Sequence, residues 1–257
     1  MWTTMENEVP KGEKKLHFKN PPIIEAVIAL SVAPQPDSVI EKFRGFVSDV
    51  VAEGYRQPEP ITEHQIQLKI DGETSSFDKS ASPFGIKFLS EDGLHAVQFN
   101  KGFFVFSRLG QYDCWEKFKD EAQKLWEIYS RVSERIEVRS VGVRYINKLF
   151  IPVGVDPEIY VTAFPKLPDN MSNPISDLYM RVGMEVAEPP GRFIHTQAIL
   201  PPEKEGFVTL IFDNDFRFPV AGKSEAQIWE MLESVRELKD RYFVYLTTEK
   251  MRDTFNA

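Results

Sequence analysis

The stretch Glu137–Pro152 (EVRSVGVRYINKLFIP) holds the side chains best suited to chemistry. Read as a strand, it sends Arg144, Ile146 and Lys148 to one face, and Val143, Tyr145, Asn147 and Leu149 to the other. Glu25 stands on the strand expected to match it in the first half of the chain. Arg144 and Glu25 together on an open sheet face would make an anion-binding or partner-binding centre. The competing reading is an ion pair that holds the two halves together, the commoner fate of a mid-strand arginine. Arg144, Asn147 and Glu25 are therefore candidate ligand- or partner-binding residues.

Ser107-Arg108 followed by Tyr112, Asp113 and Trp115 forms a polar-aromatic group at a strand-to-helix turn. Arginine and aromatic residues dominate binding hot spots, which adds Arg108 and Tyr112 to the candidates. The plainer reading is a capped helix start with its packing anchor.

Other chemistry-bearing residues carry less. Asp213-Asn214-Asp215 offers two carboxylates that a strand would place on one side for a hard cation, but a solvated hairpin turn is the favoured reading. His17, His64, His95 and His195 are scattered, with none at i, i+4 and no zinc-type spacing. Cys114, beside Asp113 at a helix start, reads as inert packing rather than as a nucleophile. Ala221-Gly222-Lys223-Ser224 imitates the end of a phosphate loop, but Arg217 stands where its first glycine is needed. No catalytic residue, cofactor or metal is expected.

These residues need elements to hold them. Ile23–Val32 reads as a strand whose Ile24, Ala26, Ile28, Leu30 and Val32 share a face. Asp37 is placed to cap a helix running to about Val51. A strand over 65–70, a flexible loop over 71–83, and strands over 84–89, 94–100 and 103–108 follow. Asp113 and Glu116 suggest a capping box for a helix to Val132, with the stripe Trp115, Phe118, Ala122, Leu125, Tyr129 and Val132. The second half repeats the plan. A long strand over 135–150 is followed by a short helix opened by Asp156-Pro157 and a link through Pro165, Pro168 and Pro174. Strands over 178–186, 192–200, 207–212 and 215–218 then lead to a helix capped by Ser224 and Gln227.

The expected fold class is α+β, with a strand–helix–four strands–helix unit used twice and two antiparallel sheets each packed on helices. A loose arm takes 1–20, the first repeat 21–133 and the second 134–257. The order is similar to that of TATA-binding-protein-like and helix-grip folds, and implies no function by itself.

Composition bounds the rest. The chain has 257 residues, 42% hydrophobic and 27% charged, which is ordinary globular usage. A net charge of −8 opposes a dedicated nucleic-acid grip, and gives no attraction to anionic membranes. The single cysteine excludes an internal disulfide. No apolar run reaches the roughly 18 residues of a membrane span, and the first residues lack the apolar core of a secretory signal. A cytoplasmic location is expected, so the sequon Asn170-Met171-Ser172 carries no weight.

Pro21-Pro22-Ile23-Ile24-Glu25, Ser107-Arg108 with Tyr112 and Trp115-Glu116-Lys117-Phe118, Gly142-Val143-Arg144-Tyr145-Ile146-Asn147 with Ile151-Pro152, and Leu238-Lys239-Asp240-Arg241-Tyr242-Phe243 with Thr247 form one pattern. It resembles a sporadically distributed family of uncharacterised bacterial and archaeal proteins of about this length. The resemblance implies no activity and no site residues. Patchy occurrence implies horizontally moved genes, among them toxin–antitoxin and antiviral defence accessories. The expectation is a non-enzymatic protein-binding module, an accessory, inhibitory or regulatory subunit with a protein partner. The alternative is a small-molecule binder or enzyme with a pocket between sheet and helix.

Overall fold

Among the described residues nine strands form one antiparallel sheet in the order β2-β3-β4-β5-β1-β6-β9-β8-β7. The computed structural model describes residues 18–71, 74–110, 112–132, 136–168, 170–171 and 175–256. Residues 1–17 of the expected arm, with His17, and residues 172–174 of the expected link lie outside the described residues. In the first half the strands are β1 (Ile23–Val32), β2 (Glu59–Asp71), β3 (Thr74–Leu89), β4 (His95–Asn100) and β5 (Phe103–Leu109). Helices α1 (Val39–Gly45) and α2 (Val47–Ala52) follow β1, and α3 (Trp115–Ser130) follows β5. The second half supplies β6 (Val138–Pro152), β7 (Tyr179–Val186), β8 (Gly191–Leu200) and β9 (Phe207–Pro219). It ends in α4 (Glu225–Leu246) and α5 (Glu249–Asp253).

Alternation decides which face each strand buries. Ala26, Ile28, Leu30 and Val32 of β1 and Val141, Val143 and Tyr145 of β6 share the main core with the apolar stripe of α3 and with Ile228, Leu232, Val235 and Leu238 of α4. Aromatic packing is dense under α3, where Tyr129 meets Phe43, Phe99 and Phe104 with ring centroids 5.3 to 5.7 Å apart. A second core gathers Leu149, Ile151, Tyr160, Leu210 and Phe212 against Phe243, Met251 and Phe255. The opposite face of the sheet carries Glu25, Val27, Arg144, Ile146, Asp213 and Asp215 in register.

The structure corrects several expectations. The two sheets are one, because β1 pairs directly with β6. Among its described residues the second half has four strands, since the expected strands over 207–212 and 215–218 are the single β9. Asp213-Asn214-Asp215 is consequently mid-strand and not a hairpin turn. The polar run expected as a loop is largely β3, which pairs with β2 from Asp71↔Thr74 to Glu59↔Lys87. A neighbouring strand satisfies backbone groups whatever the side chains are, so polarity alone does not mark a loop.

The capping expectations divide. Ser224 and Gln227 form the full capping box of α4. Asp156 accepts from Glu158 N, but the helix it opens is only the 3₁₀ turn Pro157–Ile159. Asp37 holds Lys101 instead of capping, and the helix it was to open breaks at Phe46 into α1 and α2. At α3 the N-cap is Cys114, without a side-chain bond, in place of Asp113. Among the described residues no helix is long and apolar enough to cross a membrane.

Candidate functional site

Strand β6 explains why polar groups gather at the junction of the halves. Its helix-facing row runs Val143, Tyr145, Asn147, Leu149, so an amide and a phenol sit in an otherwise apolar series. On β9 the matching row is Phe212, Asn214, Phe216, with Asn214 directly opposite Tyr145. Above them the start of α3 and the C-terminal half of α4 leave a gap, which residues 18–23 close from the side. Asn20 N donates to Phe255 O (2.9 Å), and the Phe18 ring lies edge-on to Phe255 (5.2 Å) and Phe243 (6.1 Å).

The result is a cavity of about 520 Å³ between the two cores. Tyr145, Asn147 and Asn214 form its floor, and Tyr112, Trp115, Phe18 and Phe243 supply aromatic walls. Its volume is in the range that holds a small-molecule ligand.

Both floor amides are locked by their partners. Asn147 Nδ2 donates to Phe212 O (3.0 Å) and, at the limit of bonding distance, to Tyr145 O (3.4 Å). That fixes which way the amide points, and Oδ1 has no partner among the described residues. Asn214 Oδ1 accepts from His195 Nδ1 (2.8 Å), which leaves its Nδ2 without a partner among the described residues. The floor therefore presents one acceptor and one donor.

His195 acts as the brace. Its Nε2 accepts from Gln197 Nε2 (2.9 Å), and Gln197 also donates to Ala163 O (2.5 Å). Burial holds the imidazole below its ordinary value of 6.5, against the opposing pull of the Asn214 bond. The bonding pattern agrees, since a proton on Nε2 would face the Gln197 N–H.

The walls carry balanced charge: Lys19, Arg236 and Lys239 against Asp113, Glu116 and Asp240. Lys239 Nζ lies 4.3 Å above the Tyr145 ring and 2.7 Å from Asp240 Oδ1. Arg236 is held less tightly. Its Nη1 is 3.8 Å from Glu116 and its Nε 3.9 Å from Glu233, both beyond hydrogen-bond reach. The Nε is buried without an acceptor among the described residues. Tyr112 Oη and Tyr145 Oη approach to 3.3 Å, and burial keeps both phenols protonated well above their ordinary range.

The sequence candidates fall in three places. Tyr112 and Asn147 line the cavity, as does Cys114. Arg144 lies on the other face, where Nε and Nη2 hold Asp213 Oδ1 and Oδ2 at 2.8 and 2.7 Å. Glu25 is one diagonal step from Arg144, beside Val27, but the expected Arg144–Glu25 ion pair gives way to Arg144–Asp213. Arg217 holds Asp215 through one oxygen, with Nε and Nη2 donating to Oδ2 at 3.0 and 2.6 Å. Arg108 turns away from the cavity to His95, with Nη1 3.1 Å from Nε2. Sequence reading missed Asn214, His195, Gln197, Arg236 and Lys239. The signal for Asn214 was its inward position between Phe212 and Phe216, visible once β9 is read as one strand.

Among the described residues no group of His, Cys, Asp and Glu is arranged to hold a metal ion. Comparison with known proteins returns no matching family model and no similar curated protein.

Proposed function

We propose that the chain binds a small, flat, hydrogen-bonding molecule of nucleoside or mononucleotide type in the cavity at the junction of its halves. The observation that carries this is the floor: two buried amides, braced by their neighbours, with one acceptor and one donor left for a ligand. A base edge with complementary donor and acceptor atoms fits that pair, and aromatic walls suit its faces. Arg236, whose Nη1 lies 3.8 Å from Glu116 and beyond hydrogen-bond reach, suits an oxygen at the far end of the ligand. Buried polar groups left without partners cost free energy, so a ligand that engages them gains affinity and selectivity.

The test is calorimetric titration with a panel of purine and pyrimidine nucleosides and mononucleotides. At least one should bind, and Asn147→Leu should weaken it about tenfold or more through the lost hydrogen bond. A folded protein that binds no member of the panel sinks the reading.

A second reading has its own support. The sheet face that no described helix covers exposes parts of Val27, Ala29, Val105 and Ile146 beside Arg144 and Glu25. It suits a protein partner, with the chain as a non-enzymatic accessory, inhibitory or regulatory subunit of a mobile defence or toxin–antitoxin-type system in the cytoplasm. Arginines matched by aspartates on that face do not favour nucleic acid. Co-purification from the host should recover a partner that Val27→Glu releases; a partner unaffected by that change docks elsewhere.

The strand order supports reading the chain as a duplicated unit of TATA-binding-protein-like order. In each half the first strand, β1 or β6, lies at the centre, with the last, β5 or β9, beside it. On that reading the second unit has one strand fewer, and the cavity lies where the units meet.

A further inference from the structure

The outer edge of the second half is unusually bare. Strand β7 ends the sheet, and every residue from Arg181 to Glu185 is exposed. Tyr179 is 73% exposed, Val182 40% and Met184 39%. A free edge is a template for another strand, and proteins usually blunt it with lysine, proline or a bulge. Tyr179–Val186 (YMRVGMEV) contains no lysine or proline and pairs with β8 without a register shift. The opposite edge differs: β2 opens Glu59-Pro60 and carries Glu63, so it has a missing donor and like charges.

Backbone bonding decides how β7 can pair. Ile199 N donates to Leu178 O (3.0 Å), and Leu178 stands opposite Ile199 in the β7–β8 register. Bonded pairs alternate along an antiparallel ladder, so Met180, Val182 and Met184 bond inward to β8. Tyr179, Arg181, Gly183 and Glu185 point their N–H and C=O groups outward.

We propose that β7 pairs with β7 of a second copy of this chain, antiparallel and centred on Gly183, to make a two-fold dimer with a continuous sheet. In that register Gly183 faces its own copy, and Arg181 faces Glu185 of the other copy twice over. Among the described residues neither Arg181 nor Glu185 has an ion-pair partner within its own chain. Arg192, opposite Glu185 on β8, lies over Gly183 instead. On the other face Val182 meets Met184 of the second copy, covering two exposed apolar side chains per chain. Shifting the centre by one residue keeps the outward groups in use but sets Arg181 or Glu185 against Gly183 and loses both charge pairs. Opposite charges directly across a ladder stabilise it and like charges oppose it, so the charge pattern selects the register. A two-fold interface needs this self-complementarity.

Sedimentation velocity on the full chain tests the proposal, at up to about 0.1 mM because a single edge contact is of the weak class. The wild type should show a monomer–dimer equilibrium. R181E and E185R should each weaken self-association about tenfold or more, since each places two like-charge pairs across the ladder. An equimolar mixture of the two variants should restore association, as should the double variant R181E/E185R. Circular dichroism checks that each variant is folded. A wild type that stays monomeric at that concentration overturns the proposal, as does a dimer indifferent to either single change.

Discussion

His95 and His195 occupy matching places in the two halves of the sheet and solve the same problem differently. Each stands on the third strand out from the centre, β4 or β8, facing the helices, with four strands between them. His95 lies opposite Arg108 and is bracketed by charge, with Arg108 Nη1 at 3.1 Å and Glu121 Oε2 at 3.4 Å. Glu121 in turn accepts from Tyr55 Oη (2.5 Å), tying sheet to helix α3. His195 lies opposite Asn214 and is bracketed by neutral amides, Asn214 and Gln197. The charged cluster is partly open to water, with 18% of the His95 side chain and 33% of Glu121 exposed, whereas His195 is only 1% exposed. Charges near water tolerate small rearrangements, because solvent screens a lost contact. Buried amides do not, because each has one satisfying orientation. The second half therefore holds Asn214 in a fixed pose at the cavity floor, while the first half fastens a helix.

The largest expected break in this comparison comes from truncating the two histidines. His195→Ala strands Asn214 Oδ1, takes one of the two acceptors of Gln197 Nε2 and opens a hole beside Phe193 and Phe212. Its cost should be about 2–4 kcal/mol by urea denaturation. His95→Ala leaves Glu121 within reach of water, and should cost about 1 kcal/mol or less. Equal costs would erase the distinction. If the cavity binds its ligand as proposed, His195→Ala should also weaken that binding, because Asn214 is then free to turn over.

Smaller probes act on each bracket in turn. Gln197→Leu removes the donor to His195 Nε2 and Ala163 O, but also removes a buried Oε1 that has no partner among the described residues. The two effects oppose, and the net loss should be about 1 kcal/mol. Tyr55→Phe should cost a similar amount, about 1 kcal/mol, and free Glu121 to engage His95 more closely. The imidazole signals should then show His95 titrating at higher pH than in the wild type, with His195 unmoved. A shift of both would mean that the two sites communicate through the sheet.

Much of this architecture was legible from residue spacing. The apolar row Ala26, Ile28, Leu30, Val32 and the stripe from Trp115 to Val132 are buried as alternation and helical periodicity require. The Ser224–Gln227 box was equally plain, since it is local chemistry. What escaped was set by neighbours. The polar part of β3 is held by its pairing with β2, a contact that no residue in it announces. Asp213 and Asp215 looked like a turn because their partners, Arg144 and Arg217, were not yet seen beside them. The cavity was half visible: Tyr112 and Asn147 were named, while Arg236 and Lys239 belong to a helix whose position depends on the whole fold. Arg144 drew attention as the conspicuous charge of its strand. The amide three residues on is the side chain that reaches the cavity.

Acid titration gives the smallest effect and discriminates best between the two histidines. Burial lowers both imidazoles below their ordinary value of 6.5, with Glu121 opposing the shift at His95 and Asn214 opposing it at His195. In the unfolded chain each histidine takes up its proton near 6.5, while in the folded chain it does so only at lower pH. The unfolded state thus binds more protons through that window, and stability must fall as the pH drops below 6.5 and stay level above it. Asp92, held below its ordinary 3.8 by Ser90, does not enter until the solution is far more acidic. The thermal midpoint should therefore be lower at pH 5.5 than at pH 7.0, and a glutamine at either position should remove part of the difference. His195→Gln should remove the larger part. A proton on His95 gains attraction to Glu121 against the repulsion of Arg108 and stays partly open to water, whereas a proton on His195 Nε2 meets the N–H of Gln197 in a site that is 1% exposed. If His95→Gln flattens the profile more, the charged bracket is the acid-sensitive one and the ranking of the two sites is reversed.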